Sequence, residues 1–149
     1  MSSSSTPLLE VKGLTKYFPV KGGIFGRAVD RVHAVDGVSF DIAAGETLGM
    51  VGESGCGKST TGRCILRLIE PTSGEVKFKG QNVTTMGSDT LREIRRDMQI
   101  IFQDPFASLN PRMTVEAIIG EALTIHKLTP TPESYRARIV DLLETVGLN

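Results

Sequence analysis

The 149-residue sequence has no tryptophan, only 5% aromatic residues, two cysteines and no excess of charge of either sign. Each shortage excludes something. With so few rings, a core large enough for a globular fold has to draw on the 40% hydrophobic content as a whole. Lys plus Arg and Asp plus Glu number 17 each, for a net charge of zero. That balance gives no basic face for nucleic acid or anionic lipid, so any recognition of an anion must be local. No apolar run reaches the roughly 18 residues needed to cross a bilayer, and none is expected to insert into one. The leader, residues 1–7, is serine-rich and has no apolar segment of the kind a signal peptide carries. Cys56 and Cys64 have no His nearby and fit no zinc spacing. They read as two free thiols of a reducing cytoplasm.

What is present is a globular composition, 40% hydrophobic, with both strand and helix patterning. Residues 8–11 and 14–18 read as short strands, and 19–31, with three glycines, as a wide turn. Residues 32–42 alternate partly, as a strand with one buried face does. Residues 47–51 and 98–102 are short apolar runs suited to buried parallel strands. Residues 75–79 and 82–84 read as two more strands split by Gly80. A helix is expected over 58–69, with Thr61, Cys64, Ile65, Leu68 and Ile69 on one face and Pro71 as its stop. Ser88 is a candidate cap for a short helix to about residue 95, and Thr114 for one to about 127. Thr131-Pro132 opens a last helix, with Tyr135, Ile139, Leu142, Leu143 and Val146 as its apolar face and Gly147 in the C-cap region. No internal repeat is evident.

The most specific segment is Gly52-Glu53-Ser54-Gly55-Cys56-Gly57-Lys58-Ser59, which fits the P-loop pattern of two glycines with four residues between them, followed by Lys and Ser. Each position has a chemical reason. Glycines let the main chain approach phosphate oxygens closely, so that successive N–H groups form an anion-binding concavity. The helix that follows adds the positive end of its dipole. Lys58 can reach the β- and γ-phosphates of a nucleoside triphosphate. Ser59 offers a hard oxygen to Mg²⁺, and Thr60 can donate to the α-phosphate. Cys56 occupies a variable position and reads as filler.

Around this loop the sequence resembles the ATP-binding subunits of ABC transporters over residues 8–149. Val51 to Thr60 looks like that family's whole Walker A segment. Ile100-Ile101-Phe102-Gln103-Asp104-Pro105 looks like its Q-loop. Tyr17, within Leu14-Thr15-Lys16-Tyr17-Phe18, sits where the family places an aromatic that stacks on adenine, with Phe18 as the competing candidate. The continuation Phe106-Ala107-Ser108-Leu109-Asn110-Pro111-Arg112-Met113 is similar to the branch serving dipeptide and oligopeptide importers, some nickel importers included.

The resemblance implies an α/β P-loop NTPase core with an incomplete parallel sheet, an N-terminal antiparallel β part and the start of a helical subdomain. The domain boundaries it suggests are 8–110 for the core and 111–149 for the helical part. It implies ATP and Mg²⁺ as cofactors, bound by Tyr17, Gly52, Glu53, Ser54, Gly55, Cys56, Gly57, Lys58, Ser59, Thr60 and Gln103. Ser59 and Gln103 would be the metal ligands. Implied partners are transmembrane permease subunits, contacted through the region after Gln103, and a second ATP-binding subunit, on the inner face of the cell membrane.

The family's Leu-Ser-Gly-Gly-Gln signature, its Walker B carboxylates and its switch histidine have no match in these residues. The sequence is therefore expected to be an N-terminal part that binds Mg-ATP without hydrolysing it alone. His33 and His126 read as surface or packing residues. A P-loop enzyme of another class, such as a small-molecule kinase, and a non-catalytic relic remain alternative readings.

Overall fold

The computed structural model describes residues 6–21, 28–102 and 108–148. The chain divides into two compact units, Met1–Arg95 and Arg96–Asn149.

The first unit is built on a four-stranded antiparallel sheet. Its strands are β1 (Leu9–Lys21), β2 (Ala28–Ile42), β3 (Ser73–Phe78) and β4 (Gln81–Asn82), in spatial order β2-β1-β3-β4. The two short runs expected at 8–11 and 14–18 are one long strand, β1. It stays continuous by absorbing irregularities: the register against β2 shifts between Val11 and Leu14, again between Leu14 and Lys16, and again between Lys16 and Tyr17. Such bulges bend a strand and re-aim its side chains. The turn predicted over 19–31 is shorter than expected, because both strands extend into it.

Helix α1 (Lys58–Ile65) follows the glycine loop and lays Thr61 and Cys64 against the sheet, where both are buried. With Val11, Leu14, Val76, Phe78 and Val83 they form a core in which aliphatic side chains predominate. The helix ends four residues sooner than its apolar periodicity suggests. Arg67 takes a positive φ there, and its guanidinium donates to the carbonyls of Val83 and Met86. Arg95 donates to the carbonyls of Leu66 and Arg67, satisfying acceptors at the helix C-terminus. Arg95 follows helix α2 (Ser88–Ile94), whose N-cap is Gly87, so Ser88 is its first helical residue rather than its cap. The strand expected at 82–84 is instead the end of β4 plus a single 3-10 turn, Val83–Thr85, capped by the Asn82 side chain.

The second unit contains a helical hairpin, α3 (Val115–Ile125) and α4 (Pro132–Thr145). Thr114 and Thr131 cap these helices as expected; Thr131 and Ser134 form a reciprocal capping box. At Gly120 a Cβ would fall 1.8 Å from the Tyr135 hydroxyl oxygen, so a side chain there would displace the tyrosine ring that lies over it. Ile139 is buried, but Val146 faces solvent and leaves the predicted apolar face.

The two runs expected as buried parallel strands are neither strand nor buried. Residues 47–51 form no ladder, and Val51 is 94% exposed. The described residues 98–102 likewise form none, and Ile101 is 97% exposed. A parallel strand needs a neighbour for its N–H and C=O groups, and neither segment has one among the described residues.

Candidate functional site

Between residue 51 and α1 the chain folds into a tight loop. The Cys56 N–H donates to the Glu53 carbonyl at 3.3 Å, closing a turn over Ser54 and Gly55. Gly57 takes φ 95° and serves as the N-cap of α1. A side chain at Gly57 would place its Cβ 2.1 Å from the Ala34 carbonyl oxygen. The loop is thus pressed directly onto β2, and glycine is needed there both for conformation and for space.

Lys58 folds back across this loop. Its ammonium donates to the carbonyls of Gly52 and Glu53, each at 2.7 Å, and lies 3.4 Å from the Cys56 sulfur. No side chain caps α1, and no acidic residue sits in its first turn. The first N–H groups of the helix therefore combine with a lysine ammonium and the hydroxyls of Ser59 and Thr60. The Thr61 hydroxyl is committed to the Gly57 carbonyl at 3.0 Å. The lysine, the uncapped helix start and the two hydroxyls are donors of the kind a polyphosphate requires, while the Gly52 and Glu53 carbonyls hold the ammonium in place. No cluster of three acidic, His or Cys side chains able to hold a metal occurs among the described residues. A magnesium ion here would rest on Ser59 and phosphate oxygens, a sparse protein shell in keeping with its preference for water and phosphate. Gln103, the second expected metal ligand, lies outside the described residues.

Tyr17 stands on β1, half-buried, with its hydroxyl donating to Asp36 Oδ1 at 2.6 Å. That bond, and then partial burial, hold its ionisation above the ordinary phenol range. The ring stacks on His33, with centroids 3.9 Å apart and planes 22° from parallel. His33, read from sequence as a surface or packing residue, is exposed and packs on the Tyr17 ring. Its only sequence signal is its place in a strand, where the number of residues per bulge decides what faces what. Phe18, the competing aromatic, is exposed beneath the Lys16 ammonium, 5.0 Å from its ring centre.

A glycine loop opening an amphipathic helix beside a β-sheet defines a P-loop nucleoside-triphosphate-binding fold. Residues 35–149 match the ABC transporter family, and the chain belongs to that family. It is 47% identical over 149 residues to the oligopeptide transport ATP-binding protein AppF of Bacillus subtilis, covering 99% of this chain and 45% of that protein. It is 58% identical over 143 residues to OppF of the same organism, covering 95% and 45%. To the glutathione import ATP-binding protein GsiA of Salmonella typhimurium it is 51% identical over 142 residues, covering 95% and 23%. The chain thus spans less than half the length of these relatives. A solved dimeric ATP-binding cassette, MJ0796 in a post-hydrolysis state with ADP and Pi, superposes with a TM-score of 0.72 at 29% identity, covering 95% of this chain and 58% of that one. The fold is that of an ABC ATPase cassette.

Proposed function

We propose that this chain forms the Walker A face of the ATP-binding subunit of an ABC importer for small peptides, binding ATP with Mg²⁺. The carrying observation is the loop itself: the Lys58 ammonium at 2.7 Å from two loop carbonyls, over a helix start with neither side-chain cap nor acidic residue. An incoming triphosphate would exchange its oxygens for those carbonyls. Glycines 52, 55 and 57, with Glu53, Ser54 and Cys56, supply the backbone cradle. Ser59 and Gln103 would hold the metal, whose chemistry is to neutralise and orient phosphate oxygens. Tyr17 would stack on the base. Relatives named for oligopeptide and glutathione transport support the peptide class.

On this reading the partners are permease subunits, met through the region after Gln103, and a second ATP-binding subunit that completes the nucleotide sandwich. The place of work is the cytoplasmic face of the membrane. The 149 residues bind nucleotide and leave hydrolysis to a carboxylate and signature that they do not contain. Titration calorimetry with Mg-ATP is expected to show binding that Lys58→Ala weakens about ten- to a hundredfold, the scale of a charge-assisted hydrogen bond to phosphate. Unchanged affinity in Lys58→Ala would overturn the assignment.

A further inference from the structure

The ring pair beside the phosphate loop is set by one irregularity in the sheet. Lys16 pairs with Val35, but the next residue, Tyr17, pairs with His33. Ala34 is skipped, so β2 bulges there. Two consequences follow from that single extra residue. The Ala34 carbonyl is the atom against which Gly57 of the loop packs. The imidazole of His33, which a regular register would place one position off, comes directly opposite Tyr17 and stacks on it. The Asp36 carboxylate then ties both rings: Oδ1 accepts the Tyr17 hydroxyl at 2.6 Å, and Oδ2 lies 3.7 Å from His33 Nδ1. The Tyr17 main-chain N–H is held as well, donating to the Thr72 hydroxyl at 3.0 Å.

We propose that His33 is a positioning residue for the nucleotide base: it covers one face of Tyr17 and, with Asp36, fixes the ring so that its other face is presented to the purine. This rests on the reading of Tyr17 as the base platform. The physical basis is entropic and geometric. An exposed tyrosine on a strand samples several rotamers, and a base must then select one of them. A ring already stacked on one side and hydrogen-bonded at its tip has spent that freedom before binding, so more of the stacking energy appears as affinity. Because the same bulge carries the Ala34 contact to Gly57, the platform and the phosphate loop are held in register by one stretch of backbone.

The test compares ATP with inorganic tripolyphosphate, which has the phosphates but no base, by titration of the full 149-residue chain. Tyr17→Ala is expected to weaken ATP about tenfold or more and leave tripolyphosphate unchanged, on the scale of base–aromatic stacking. His33→Ala is expected to weaken ATP about three- to tenfold with tripolyphosphate again unchanged, and His33→Phe, which keeps a flat ring, to restore ATP affinity. Equal losses for both ligands in His33→Ala would mean a general structural role and overturn the inference. So would unchanged or tightened ATP binding, or a His33→Phe variant no better than His33→Ala. If Tyr17→Ala leaves ATP affinity intact, the base-platform reading fails and the inference with it, while the Lys58 result stands independently.

Discussion

Residues 9–21 and residues 47–51 are both apolar-rich stretches with strand character, yet only the first becomes a strand. β1 has β2 along one edge and β3 along the other, so its backbone groups are paired and Leu14 is fully buried. Residues 47–51 lead straight into the phosphate loop, but they form no ladder, and Leu48, Met50 and Val51 all face solvent. A strand is a property of a pair: local sequence supplies the candidate, and a neighbour supplies the hydrogen bonds and the second wall of the core. The difference also shows what anchors the site. The loop is braced by the Ala34 carbonyl of β2 and by α1 rather than by the segment that enters it.

The largest effect that could break this comparison is a pair of truncations read by urea denaturation. Leu14→Ala should cost about 2–5 kcal/mol, the range for a buried leucine. Val51→Ala should stay within about 0.5 kcal/mol, as exposed substitutions do. A Val51 cost matching that of Leu14 would mean that 47–51 is paired and buried in solution.

The thiols sharpen the same contrast at closer range. Cys64 is wholly buried under α1, and burial raises its ionisation, whereas Cys56 is exposed on the loop. An alkylating reagent should modify one thiol in the native chain and both after unfolding. Rapid modification of both would show that α1 does not stay docked on the sheet.

The smallest effect concerns the Tyr17–Asp36 bond. Because the folded ionisation of Tyr17 is raised, the neutral phenol is the favoured form. Its contribution is complete below the unfolded value of about 10 and is lost as pH climbs through the folded value. Asp36→Ala should lower the Tyr17 midpoint, followed by phenolate absorbance in a Tyr135→Phe background. An unmoved midpoint would mean that the bond is not populated.

Much of the fold is legible in the sequence. Thr114 and Thr131 announce their helices because an N-cap is a local bargain between a side chain and a backbone N–H two or three residues away. The glycine loop is legible because its pattern is contained in consecutive residues 52–59, whereas the approach of Gly57 to the Ala34 carbonyl is not. The early end of α1 was hidden because Arg67 and Arg95 act across the fold, on carbonyls 16 to 29 residues away.

Sequence alone determined the P-loop pattern of residues 52–59, the caps of the last two helices and the family. These depend on neighbours within a turn or two of chain. Tertiary structure decided which apolar runs became strands and what stands opposite Tyr17. Both are questions of register and pairing: a single bulged residue, Ala34, moves His33 onto the tyrosine ring and its own carbonyl against Gly57. Nothing in the order of the residues marks where a strand will bulge until its partner lies beside it.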